Sequence, residues 1–222
     1  MPISSPSFRR TGFFIWVTVM ARQLLLVRHA TIASEYAGRY VGSTDVGLEE
    51  EGIRQAEALA SLIGSRHPAR CFSSPLLRAR QTAEAISRST GLDVEIDHDL
   101  REVDFGRWEA RTFEEISAAW PGDVSRWAEM PEDFSFPGGE SISGFSARVR
   151  RAADRMAADP AEVVVAVTHG GMVRGMICHL LGLEFRHYIL FNVRRAACAT
   201  IDIFDGAGVL SGLNETPALE GK

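Results

Sequence analysis

The sequence predicts an α/β protein: a three-layer α/β/α sandwich with a mostly parallel central sheet and a helical cap insertion. Two apolar runs, "LLLV" from Leu24 and the "VVVAV" within "EVVVAVT" (162–168), read as strands covered on both faces, as strands of a parallel sheet are. Helix-spaced apolar segments alternate with these and shorter strands, the pattern of βα units. In such sheets ligands gather beyond the carboxyl ends of the strands. Arg28-His29, Ser73-Ser74 and His169-Gly170 each follow a predicted strand.

The elements are expected in this order. A strand over 22–28 leads into a loop over 30–47. A helix over 48–65 carries Ile53, Ala56, Leu59 and Leu62/Ile63 as its apolar stripe. A short strand over 69–73 passes through Ser73-Ser74-Pro75 into a helix over 76–90, where proline suits the first turn. A third strand spans 93–97. Thr112 and Glu115 then form a capping box that opens a helix. After a loop over 131–139, Ser141 caps a helix running to about 158. The strand over 162–168 runs into a helix to about 181. Late strands over 196–204 and 208–213 make a hairpin across Asp205-Gly206. These elements form one domain over 22–215 with a cap region at about 104–140, preceded by an N-terminal extension over 1–21.

The chain has 222 residues, 45% hydrophobic and 24% charged, enough for one sizeable core. Its net charge of -5 argues against non-specific nucleic-acid binding, which needs a basic surface. Cys71, Cys178 and Cys198 are odd in number and set in apolar contexts, and read as buried free thiols in a reducing compartment. Arg9-Arg10 followed by "TGFFIWVTVMA" has the outline of an export signal, but the apolar stretch is too short to span a bilayer. Met20, just ahead of the first strand, offers an equally simple account as the start. The expected compartment is the cytoplasm, with export as the alternative and no membrane partner; the sequence does not determine an oligomer.

The residues at the strand ends suit a phosphate monoester. Arginine forks match phosphate oxygens, and a helix N-terminus adds free N–H groups. Arg28 stands at a strand end, and Arg78 falls in the first turn of the next helix. A histidine beside two guanidiniums is biased toward its neutral, nucleophilic form. Neutral His29 could therefore attack phosphorus, with His169 sharing the charge of the transferring group and Glu102 in "LREVDFGRWEA" as the proton donor. Each residue alone has a plainer structural reading. "HGGMVRG" lacks the dinucleotide-binding glycine spacing, and no His/Cys/Asp cluster has metal-ligand spacing, so neither metal nor cofactor is expected.

Taken together, "LVRHAT", "SSPLLRARQTA", "LREVDFGRWEA" and "VTHGGMVRG" resemble the histidine phosphatase (phosphoglycerate mutase-like) superfamily from about Gln23 to about Phe204. The resemblance implies that His29 becomes phosphorylated, that Arg28, Arg78 and His169 complete the phosphate pocket, and that Glu102 is the acid. Substrate contacts are expected at Arg28, Thr31, Ser34, Val41, Gly42, Arg78, Glu102 and Gly170. Two departures stand out. Ala30 replaces the glycine usual after the nucleophile, which requires a negative φ there. "TIASE" over 31–35 removes an asparagine that touches phosphate in relatives, leaving Thr31 or Ser34 to substitute.

The short interval between Glu102 and His169 resembles the phosphatase branch rather than the mutases. Several segments look most like α-ribazole-5′-phosphate phosphatases and their broad-specificity relatives. Phosphoglycerate mutase-type transfer is the alternative within enzymes, and a non-catalytic phosphate-binding module the alternative outside them. Trp108, Phe113, Trp120, Trp127, Phe134 and Phe136 read first as a subsidiary core beneath the cap, and second as an apolar wall for an aromatic leaving group. Arg107 and Arg111 read as solvated charges before substrate contacts.

Overall fold

The computed structural model describes residues 22–129, 131–204 and 207–217. The extension expected over 1–21 and the hairpin turn expected at Asp205-Gly206 lie outside the described residues. Six strands, β1 (Arg22–Arg28), β2 (Arg70–Ser73), β3 (Val94–Ile96), β4 (Val163–Thr168), β5 (Ala197–Phe204) and β6 (Ala207–Glu215), form one sheet in the order β3-β2-β4-β1-β5-β6. The first four are parallel; β5 and β6 run antiparallel at one side. β1 is central, with Val27 facing Val167 of β4 and Cys198 of β5 in register.

Alternate residues of β1 serve opposite faces, as the two-residue period of a strand requires. Leu25 and Val27 pack with alanines and aliphatics of α1 (Glu50–Gly64) and α2 (Leu77–Thr90). Leu24 and Leu26 pack toward α5 (Ile142–Ala157), α6 (Gly170–Leu180) and the aromatic side chains of residues 104–140. The latter span holds a 3-10 turn over Gly106–Trp108 and two short helices, α3 (Phe113–Ala119) and α4 (Pro121–Ala128). Trp108 is fully buried there, a burial worth about 2–3 kcal/mol for a large apolar side chain. The capping box is complete: Thr112 accepts the Glu115 N–H, and Glu115 accepts the Thr112 N–H.

Three details differ from the sequence expectations. Ile53 is 44% exposed; the buried stripe of α1 runs through Gly52, Ala56, Leu59, Ala60 and Ile63 instead. Gly52 is there because a Cβ would lie 2.0 Å from the Thr31 carbonyl oxygen. Pro75 lies ahead of α2 rather than in its first turn, and the Leu77 N–H is met by the Asp45 carboxylate at 2.6 Å. α4, with Pro121 at its start, and a 3-10 helix over Phe185–Leu190 join the expected elements. The three cysteines are buried free thiols, and burial pushes Cys71 and Cys198 up to about 12.

Two crossovers prepare the site. The chain leaves β1 for β2 across the face covered by α1 and α2, and leaves β4 for β5 by way of α6 on the other face. Diverging connections from adjacent parallel strands open a crevice at their carboxyl ends.

Candidate active site

The β1 and β4 ends place His29 and His169 side by side, ring centroids 5.2 Å apart. The His29 backbone continues the ladder on both sides: its N–H donates to Thr168 and its carbonyl accepts from Ala196. Its Nδ1 lies 2.7 Å from the Ala30 carbonyl oxygen, an atom that can only accept. The proton is therefore on Nδ1, and Nε2 carries the lone pair. Burial, then Arg78 and Arg28, holds the His29 imidazole well below the usual histidine range. Ala30 is buried, its φ is not positive, and its N–H donates to Thr82 Oγ1, so the alanine fits without strain.

His169 is fully buried at the start of α6, its Nε2 2.7 Å from Ser74 Oγ. Its imidazole is also held low, by burial first and by Arg78 next. Arg28 donates through Nη1 to the Val193 carbonyl at 2.6 Å; burial brings its guanidinium down to about 10, and nearby Glu102 opposes that shift. Gly170 is packed on Arg28, where a Cβ would sit 3.1 Å from Cζ. Arg78, fully buried, donates Nη1 to the Thr44 carbonyl at 2.8 Å and Nη2 to the Gly42 carbonyl at 2.7 Å.

Glu102 accepts the Gly171 N–H at 2.9 Å, at the start of α6, and the Val103 N–H at 3.1 Å. Its backbone is held from behind by the buried Arg148, which donates to the carbonyls of Asp99, Arg101 and Glu102 and pairs with Glu140 at 2.7 Å.

Arg28, His29, Val41, Arg78, Glu102 and Gly170 line one cavity of about 210 Å³, with His169 against His29 behind it. Gly42 contributes through its carbonyl to Arg78 rather than through the wall. The structure does not bring Thr31 or Ser34 to this cavity. The Thr31 hydroxyl and N–H both donate to Gln55 of α1, and Ser34 is exposed in a 3-10 turn. Arg39, Arg174 and Arg195 stand in the wall instead. Arg174 had a sequence signal, since it lies four positions after Gly170 and therefore on the same helix face. Arg195 had none.

Glu102 also borders a second cavity of about 210 Å³, whose wall includes Tyr40, Phe105, Trp127, Phe136, Phe185 and Tyr188. Of the aromatic residues over 104–140, Trp108 and Phe134 are core, while Trp127 and Phe136 line this cavity. Phe113 is exposed, and Arg111 lies over Trp120 outside both cavities.

Comparison with known proteins agrees with this geometry. The sequence profile of the histidine phosphatase superfamily (branch 1) matches residues 24–216. Phosphoserine phosphatase 1 of Hydrogenobacter thermophilus is 33% identical over 195 residues, covering 87% of this chain and 92% of that protein. Glucosyl-3-phosphoglycerate phosphatase of Mycobacterium tuberculosis is 35% identical over 177 residues, covering 76% and 79%. The solved α-ribazole phosphatase of Shigella flexneri superposes with a TM-score of 0.80 at 27% identity, covering 90% of this chain and all of that one. With its fold, its profile match and phosphatase relatives along most of its length, the chain belongs to the histidine phosphatase superfamily, branch 1.

Proposed function

We propose that this chain hydrolyses phosphomonoesters through a phosphohistidine on His29. One observation carries the reading. Arg28 and Arg78 line the cavity with His29, His169 packs against His29, and Arg28 Nε, Arg78 Nε and His169 Nδ1 are buried polar atoms without a hydrogen-bond partner. An unpaired buried donor costs about 1–3 kcal/mol, and a phosphoryl group with three acceptor oxygens offsets that cost at all three.

In the first step His29 Nε2 forms a bond to phosphorus as the bond to the ester oxygen breaks. Glu102, in its acid form, gives its proton to the departing oxygen, so an alcohol leaves rather than an alkoxide. Arg28 and Arg78 hold the equatorial oxygens. The Ser74 hydroxyl donates to His169 Nε2, which leaves the proton on Nδ1 to donate to the phosphoryl group. In the second step the Glu102 carboxylate takes a proton from water, whose oxygen attacks phosphorus and releases His29 and inorganic phosphate.

The aromatic cavity beyond Glu102 suits a leaving group with an apolar ring. This supports α-ribazole 5′-phosphate, the substrate in the name of the Shigella relative, within an otherwise broad specificity for ring-bearing esters. The test is single-turnover labelling with a 32P-labelled aryl phosphate in EDTA, on wild type and H29A. Wild type should form an acid-labile, base-stable phosphoenzyme, while H29A stays folded, forms none and loses at least about 10³-fold in turnover. Label that persists in H29A, or turnover that requires added Mg²⁺, refutes the mechanism. A panel of α-ribazole phosphate, phosphoserine and glycerol phosphate, compared by kcat/KM, tests the substrate.

A further inference from the structure

Glu109 does not line the catalytic cavity, yet its carboxylate is densely bonded. It accepts the backbone N–H groups of Gly42, Ser43, Thr44 and Phe105 at 3.1, 2.8, 3.2 and 3.0 Å. The Thr44 hydroxyl donates to it as well, while the Ser43 hydroxyl lies 3.3 Å from it and 2.9 Å from Asp104 Oδ1. The 41–44 loop turns its carbonyls the other way, toward Arg78. The peptide joining Gly42 to Ser43 gives its N–H to Glu109 and its C=O to Arg78 Nη2 at 2.7 Å. The peptide joining Val41 to Gly42 does the same, its C=O 3.4 Å from Nη2.

Two peptide dipoles therefore lie head to tail between an anion and a buried cation. Aligned hydrogen bonds polarise one another, so the carboxylate strengthens the carbonyls as acceptors for Arg78. The loop reaches this position because residue 42 is glycine: a Cβ would stand 1.9 Å from the Val103 carbonyl oxygen and 2.6 Å from Glu109 Oε1. With both Nη atoms of Arg78 bonded to this loop, the loop fixes the plane and direction of the whole guanidinium, including the unpartnered Nε.

We propose that Glu109 is the positioning residue for Arg78, acting through the 42–44 loop, and that its charge sets how tightly the pocket holds a phosphoryl group. The proposal rests on the reading of this pocket as a phosphoryl site. Removing Glu109 also strands four N–H groups, so loss of stability alone would not distinguish a positioning role from a structural one. A double-mutant cycle does.

The dissociation constant of inorganic phosphate is measured by calorimetry, which needs no turnover, on wild type, E109Q, R78K and the double variant. E109Q should weaken phosphate binding about tenfold, the size of one charge-assisted hydrogen bond. In the R78K background, where the two-armed fork is gone, the same change should cost less than about twofold. Equal factors in both backgrounds overturn the proposal, as does an E109Q protein that melts earlier but binds phosphate as wild type does. If E109Q does not fold, T44V, which loses only the hydroxyl to Glu109, takes its place, with about a threefold effect that R78K abolishes. Again, equal factors overturn it. Wild type that binds no phosphate overturns the phosphoryl-site reading and this proposal together, whereas binding with an additive cycle overturns only the role of Glu109.

Discussion

The two cavities, which share Tyr40, Glu102, Phe105 and Arg174, are similar in size and differ in how most of their walls are held. The His29 cavity is made of side chains whose positions are set by backbone: strand ends, a helix start and loop carbonyls. The aromatic cavity is made of side chains set by one another. Tyr40 packs edge-on against Phe105 and Trp127, Phe105 against Phe136, and Phe185 stacks on Tyr188, over whose ring Arg174 lies. Hydrogen-bonded backbone holds polar groups in one direction, while edge-to-face ring packing tolerates a change of ring for a modest loss. The difference teaches where change is affordable: the chemical half is rigid, and the leaving-group half can be altered residue by residue.

Removing the carboxylate that borders both cavities should have the largest effect. E102Q keeps the size of the side chain but has no proton to give, so esters of poorly acidic alcohols should slow by about 10²–10⁴-fold. p-Nitrophenyl phosphate, whose leaving group departs without help, should slow far less. Parallel kcat measurements on p-nitrophenyl and phenyl phosphate check this; equal losses would remove Glu102 as the acid.

The same contrast explains what the sequence disclosed. Arg28, His29, Arg78 and Gly170 adjoin strand or helix ends, so short motifs are enough to bring them to one cavity. Thr31 and Ser34 lie only a few residues after His29 in sequence, but α1 captures Thr31 through Gln55, and a long-range partner of that kind leaves no local pattern. The buried stripe of α1 bypasses Ile53 for a related reason: the close approach of Thr31 needs a glycine, and hydrophobicity does not register a glycine as a buried face. On the aromatic side, residues 104–140 showed their rings plainly. Tyr40, Phe145, Phe185 and Tyr188 come from three other segments, and the packing that gathers them is tertiary. Glu109 was in view within "GRWEA", but its partners lie some 65 positions away.

A smaller effect should separate the halves. Y188L removes the ring that stacks on Phe185 and carries Arg174 while keeping an apolar side chain. KM for aryl esters should rise about tenfold, the worth of one lost aromatic contact plus area. KM for glycerol phosphate, which has no ring to seat, should rise several-fold less. Equal factors for both esters would place Tyr188 in phosphate binding and dissolve the division between the cavities.

The smallest effect is on stability, and it belongs to the polar half alone. Burial, ahead of the guanidiniums, keeps the His29 and His169 rings neutral in the folded protein far below the usual imidazole range. In the unfolded chain each ring takes up a proton near its ordinary pKa of about 6.5, so below that value unfolding binds protons. The stability each neutral ring contributes is therefore complete above about 6.5 and declines as pH falls toward the folded-state pKa, by up to about 1.4 kcal/mol per pH unit per histidine. The midpoint of thermal unfolding should accordingly drop by several degrees between pH 7 and pH 5. H169Q, which removes one of the two rings, should flatten that slope, whereas Y188L should leave it parallel to wild type. A wild-type midpoint that does not move over this range, or an H169Q slope equal to wild type, would mean that the rings accept protons in place and that the polar half is less rigid than its hydrogen bonds imply.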